Sequence, residues 1–216
     1  LKKADWNLWF FVPLLVALAA GGAMLAFIEK GQDVLFVNRF HSPFWDYLFY
    51  YGTLLGDGLL YLAVAIGLLW KNFRNALIAF VCFSLTGTLV QFFKKIIFTE
   101  MMRPAALLAD EPLHFVEGVK ILKHYSFPSG HTAMAFSLFC LLSQFVKTRW
   151  LGLLFLIMAL IGGISRIYLV QHFFEDVYSG AILGVSITSL VWHWFSARTA
   201  FSELSGKSLS AYFRKA

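Results

Sequence analysis

The chain has 216 residues, 59% of them hydrophobic, 18% aromatic and only 14% charged, with a formal net charge of +6. A soluble domain usually carries about 25% charged residues, so there is too little here to coat a water-exposed surface; the mean hydropathy of +0.71 points to a membrane protein. The basic excess is dispersed in short segments between apolar runs, which argues against a nucleic-acid-binding face and fits topology signals and phosphate contacts.

A spanning helix needs about 20 mostly apolar residues. In chain order, six stretches approach that pattern: 8–28, 53–70, 75–93, 131–146, 150–168 and 177–195. The first follows Lys2 and Lys3 and has small residues at 17–23, as secretory leaders do, but its apolar run continues through 24–28 and it is read as a span. The expected fold is all-α: an integral membrane bundle of six transmembrane helices, one domain over residues 1–216, with a basic cytoplasmic tail at 197–216. Between the first two spans, Gly31 to Gly52 is rich in Phe, Tyr and Trp. That segment reads as an amphipathic stretch at the membrane interface, or as an extension of the second span.

Alternate connections differ in charge. One set holds Lys2, Lys3, Lys71, Arg74, Lys147, Arg149, Arg198, Lys207, Arg214 and Lys215 against the acids Asp5 and Glu203. The other holds eight basic residues and ten acids. By the positive-inside rule the first set, with both termini, is cytoplasmic, and the connections after spans one, three and five face out. Cys82 and Cys140 lie in apolar runs without CxxC or CxxH spacing, so they read as packing residues, and neither a metal site nor a disulfide framework is expected.

Three polar clusters fall on the outer side. Lys95 with Arg103-Pro104 supplies positive charge, the Arg as a planar fork that matches phosphate oxygens. Pro128-Ser129-Gly130-His131 opens a helix, where unpaired N–H groups favour an anion and glycine admits close approach. Ser165-Arg166 precedes His172 and Asp176, which are four apart and share a helical face; a carboxylate on one imidazole nitrogen leaves the other free to attack. This inventory suits phosphoryl transfer without a metal. The residues alone leave open which histidine is the nucleophile.

The second and third clusters resemble, completely, two signature motifs of the type-2 phosphatidic acid phosphatase superfamily, and their order and layout fit it over most of the chain. The first cluster departs: the family usually has six residues between its Lys and Arg-Pro, whereas seven separate Lys95 from Arg103 and eight separate Lys94 from it. Lys95 is taken as the ligand, with Lys94 the alternative. The resemblance implies that His172 attacks phosphorus, Asp176 orients it and His131 protonates the leaving oxygen. It implies that Lys95, Arg103, Ser129, the Gly130 N–H and Arg166 hold the phosphoryl oxygens. It implies neither cofactor nor metal, a bilayer environment and no nucleic acid. The substrate would be a phospholipid or isoprenoid-lipid phosphate: phosphatidic acid, phosphatidylglycerol phosphate, polyprenyl diphosphate or lipid A phosphate. A bacterial inner membrane is expected, with the active site on the periplasmic face. The rival functions are a lipid phosphotransferase on the same scaffold and a non-enzymatic lipid transport or assembly protein. The related vanadium-dependent haloperoxidases are soluble, which six spans disfavour. Asp57 reads as a helix cap or a support for the site, and Gly180 with Gly184 as a helix-packing face.

Overall fold

The computed structural model describes residues 6–198, 204 and 207–213. Lys2, Lys3, Asp5, Glu203, Arg214 and Lys215, which enter the charge argument and the tail, lie outside the described residues.

The described residues are helical, without strands. The helices are α1 (Leu8–Leu25), α2 (Gln32–Asn38), α3 (Pro43–Gly52), α4 (Gly58–Lys71), α5 (Phe73–Phe92), α6 (Pro104–Leu107), α7 (Gly130–Phe145), α8 (Leu151–Tyr168), α9 (Phe174–Ser196) and α10 (Leu209–Phe213). A 3₁₀ turn, Thr53–Gly56, joins α3 towards α4, and a π-helical turn, Phe93–Ile97, continues α5. Each of the six apolar stretches coincides with a helix, and local caps set the starts. Asn7, Asp57, Asn72 and Ser129 each accept a backbone N–H of the first turn of α1, α4, α5 and α7.

By length and apolar composition four of the described helices can cross a membrane: α1, α5 with its π turn, α8 and α9. The segment Pro43–Gly56 and α4 pass the same test together, bent by 52° at Asp57, and make a fifth. Helix α7 has 16 residues, about 24 Å of rise, against a hydrocarbon core of about 30 Å. It runs through the middle of the bundle and packs on α5, α8 and α9.

Helices α7 and α9 touch through backbone. A Cβ on Gly180 would stand 2.6 Å from the Ser129 carbonyl oxygen, and one on Gly184 2.2 Å from that of Ala133. The small-residue face is therefore a packing face, as expected. Two turns further along α7, Ser137 is the hub of a buried polar set. Its Oγ lies 3.1 Å from Tyr61 OH, 3.3 Å from Thr86 Oγ1 and 2.8 Å from Thr188 Oγ1. Such bonds tie four helices together in a region where water cannot compete; each contributes about 0.6 kcal/mol on average.

The aromatic segment forms two short helices rather than one. Helix α3 packs on α8, where Tyr168 OH donates to Asp46 Oδ1, while Asp46 Oδ2 lies 3.0 Å from His114 Nε2 in the long loop. Phe36, Phe44, Tyr47 and Tyr51 remain exposed. Helix α10 returns to α4, where Trp70 and Phe213 stack at 5.9 Å.

Candidate active site

The α8–α9 junction carries the third motif. Arg166 lies in the last turn of α8, and its carbonyl accepts both Gln171 N at 2.9 Å and His172 N at 3.0 Å. Five intervening residues are thus the length of a helix C-cap that folds back on Arg166, fixing His172 to the arginine through the backbone. The reversal needs a left-handed residue, and Val170 supplies it at φ 57°. That conformation costs a β-branched residue about 1–2 kcal/mol. Burial of the side chain with Val34, Ile167, Phe173 and Val177 contributes about 1.5–3 kcal/mol and offsets the strain.

His172 is 1% exposed. Its Nδ1 donates to Asp176 Oδ2 at 3.1 Å, and the same oxygen accepts Phe173 N at 3.0 Å. Asp176 therefore caps α9 and fixes the imidazole with one atom, leaving Nε2 without a hydrogen bond among the described residues. Burial first, then the charges of Arg103, Lys94 and Arg166 and the His131 ring, push the His172 imidazole well below its ordinary range. That direction favours the neutral ring, and with Nδ1 protonated towards Asp176 the lone pair is on Nε2, the state a nucleophile needs.

The second motif sits across from it. Ser129 N donates to the Asp176 carbonyl at 2.9 Å, and Ser129 Oγ caps α7 by accepting Thr132 N at 3.4 Å and Thr132 Oγ1 at 2.8 Å. Gly130 is the first residue of α7, so its N–H faces outward from a helix N-terminus. His131 is half-buried, and Arg166, Asp57, Lys94 and Arg103 are within electrostatic reach of it.

The two arginines differ in freedom. Arg103 donates from Nε to His124 O at 2.9 Å, from Nη1 to Gln171 O at 3.1 Å and Gln171 Oε1 at 3.3 Å, and from Nη2 to Tyr125 O at 3.4 Å. Only an Nη2 N–H is left for a ligand, so its fork is largely spent on the protein's own loops. Among the described residues Arg166 donates to Thr53 Oγ1 alone, and its buried Nε has no partner. Most of its donors remain open, and an orphaned buried guanidinium N–H invites an anion.

The lysine differs from the expectation. Lys95 is exposed, whereas Lys94 is 7% exposed and donates from Nζ to Tyr125 O at 2.9 Å and Ser126 O at 3.5 Å. Of the two alternatives, Lys94 is the one that lies among the cluster residues: both lysines fall in the π turn at Phe93–Ile97, closed by Phe98 N donating to Phe93 O, and within that turn Lys94 is turned inward while Lys95 is exposed. Asp57 Oδ1 accepts Leu59 N at 2.8 Å, which establishes its capping role. His114 is engaged with Asp46, and of His124 the backbone carbonyl reaches the site.

Sequence reasoning overlooked Ser126, Gln171 and Thr53. Gln171 neighbours His172 and Ser126 lies three residues before Ser129, so both had a positional signal; Thr53 had none. Among the described residues no group of three or more His, Cys, Asp or Glu is arranged to hold a metal ion.

A family model described as the PAP2 superfamily matches residues 75–200. The chain belongs to this superfamily. It is 30% identical over 163 residues to the lipid A 4'-phosphatase of Bacteroides thetaiotaomicron, a match spanning 71% of each chain. It is 40% identical over 86 residues to the bacitracin transport permease protein BcrC of Bacillus licheniformis, covering 38% of this chain and 40% of that one. The fold is similar to that of Aquifex aeolicus LpxE, with a TM-score of 0.67 and 28% identity over 76% of this chain and 95% of the other. It is also similar to the PAP2-type phosphatidylglycerolphosphate phosphatase of Bacillus subtilis, with a TM-score of 0.65 over 90% and 98% of the two chains; at 21% identity that likeness concerns the fold. The motifs of this PAP2 protein are thus met in a shared architecture, with all three brought to one end of the bundle.

Proposed function

We propose that this PAP2 protein hydrolyses a lipid phosphate through a phosphohistidine on His172. The observation that carries the reading is the pairing of a buried imidazole, oriented by Asp176, with the open guanidinium of Arg166. His172 Nε2 attacks phosphorus, an N–P bond forms, and the bond to the lipid oxygen breaks. His131 gives that oxygen its proton. Water then attacks phosphorus while His131 takes the proton back, the N–P bond breaks, and inorganic phosphate leaves. Nδ1 stays protonated on Asp176 throughout. Arg166, Lys94, the Gly130 N–H and Ser129 stabilise the equatorial oxygens, and Arg103 adds charge from behind its loop contacts.

Lipid A phosphate is the first candidate substrate, because the curated relative matched over 71% of both chains is a lipid A 4'-phosphatase. An apolar groove of about 360 Å³ beside the cluster, with Phe93, Phe127, Pro128 and Ile182 in its walls, offers a lipid tail a place near a phosphate at His172. The test is inorganic phosphate release by purified protein in detergent from lipid A phosphate, phosphatidic acid, phosphatidylglycerol phosphate and polyprenyl diphosphate. The highest kcat/KM is expected with lipid A phosphate. Activity on one of the others alone reassigns the substrate. A phosphorylated lipid acceptor without free phosphate makes the protein a phosphotransferase.

The same reading has six crossings, with α7 held among longer helices as the fourth and the exposed aromatics of α2 and α3 at headgroup level. Both ends are then cytoplasmic and catalysis is periplasmic, in a bacterial inner membrane. Single cysteines at Ala109 and Thr148, in a background lacking Cys82 and Cys140, test this with a membrane-impermeant thiol reagent on intact cells. Position 109 is expected to label and 148 to stay protected; the reverse pattern inverts the topology.

A further inference from the structure

Ser126 lies outside the three motifs, yet its side chain is fully buried between them. Its hydroxyl donates to Asp176 Oδ2 and stands 3.5 Å from His172 Nδ1. Its amide donates to the Met101 carbonyl at 3.0 Å, and its own carbonyl accepts Lys94 Nζ at 3.5 Å. One residue thus touches the segment leading to Arg103, the buried lysine, the orienting carboxylate and the nucleophile.

Asp176 makes this contact consequential. Oδ2 takes donors from Ser126, His172 and Phe173, while the buried Oδ1 has none among the described residues. A carboxylate loaded on one oxygen gains by turning about its Cβ–Cγ bond to share the donors, and the imidazole would turn with it. Holding Oδ2 against Nδ1 therefore requires donors other than the imidazole itself. The Phe173 amide is one and the Ser126 hydroxyl is the other.

We propose that Ser126 is a positioning residue for phosphoryl transfer. Through Asp176 it fixes the tautomer and orientation of His172, so that Nε2 faces the phosphorus. This rests on His172 being the nucleophile. Ser126 does not contact the phosphate through its side chain, so its loss acts on kcat and spares binding.

The experiment compares wild type, Ser126→Ala and His172→Ala as purified full-length protein on the lipid phosphate that wild type hydrolyses fastest, with inorganic phosphate as competitive inhibitor. For Ser126→Ala, kcat is expected to fall about 10- to 100-fold, as for loss of a hydrogen bond to a charged group. KM and the inhibition constant of phosphate are expected within about twofold of wild type. A wild-type kcat overturns the proposal. So does weakened phosphate inhibition that matches the fall in kcat, because that marks general distortion of the site. If Ser126→Ala fails to fold, Ser126→Cys, nearly isosteric and a poor donor to a carboxylate, carries the same outcomes. An inactive His172→Ala beside a fully active Ser126→Ala refutes Ser126 alone. Residual turnover by His172→Ala removes the nucleophile assignment itself.

Discussion

Replacement of His172 by Ala is expected to abolish turnover, on the order of 10⁴-fold or more, because it removes the atom proposed to form the covalent bond to phosphorus. Nothing nearby substitutes for it. His131 is the other imidazole in the cluster, but it has no carboxylate hydrogen-bonded to either nitrogen, and its backbone belongs to the anion-binding end of α7. The two histidines separate by leaving group. His131→Ala removes the proposed proton donor, so a lipid alkoxide is expected to leave slowly, while an aryl phosphate that needs no protonation is expected still to phosphorylate the enzyme. Trapping with labelled aryl phosphate should therefore yield phosphoenzyme in His131→Ala and none in His172→Ala. Label recovered on any residue other than His172 would sink the assignment.

The chain declared its helices well because the signals are local. Hydropathy marks the apolar runs, and Asn7, Asp57, Asn72 and Ser129 each stop a backbone N–H at a helix start. That Ser129, Gly130 and His131, and Arg166, His172 and Asp176, would each be held together had a local signal of the same kind: short spacings that place a cap, a C-terminal reversal or an i,i+4 pair. What was not legible depends on contacts distant in sequence. Thr53 meets Arg166 across 113 positions, Gln171 meets Arg103 across 68, and Ser126 meets Asp176 across 50. Val170 was hidden differently, since its left-handed backbone is where a glycine would be looked for, and only the surrounding apolar cluster makes valine tolerable there. The crossing count was also beyond the pattern, because α7 is apolar but short, and what encloses it are the longer helices α5, α8 and α9, contacts distant in sequence.

Replacement of the buried lysine of the π turn carries the second large effect. Lys94→Ala is expected to lower kcat/KM by about 10²- to 10³-fold, the range for removing one preorganised donor from developing negative charge. Lys94 is buried within reach of the Arg103 and Arg166 charges, and its ammonium is held by two carbonyl oxygens beside the Ser129 end of α7. With three N–H donors and two used by the protein, one stays available for a phosphoryl oxygen. Lys95→Ala should change kcat/KM by less than about threefold, because its exposed side chain makes no hydrogen bond or ion pair with the cluster among the described residues. Lys94→Arg separates charge from shape: the guanidinium keeps the charge but does not fit two carbonyls and a phosphate as a compact ammonium does, so partial activity is expected. The reverse ranking, with Lys95→Ala crippled and Lys94→Ala near wild type, would mean that the π turn at Phe93–Ile97 unwinds when substrate binds and returns the helix to the register that the motif spacing first indicated.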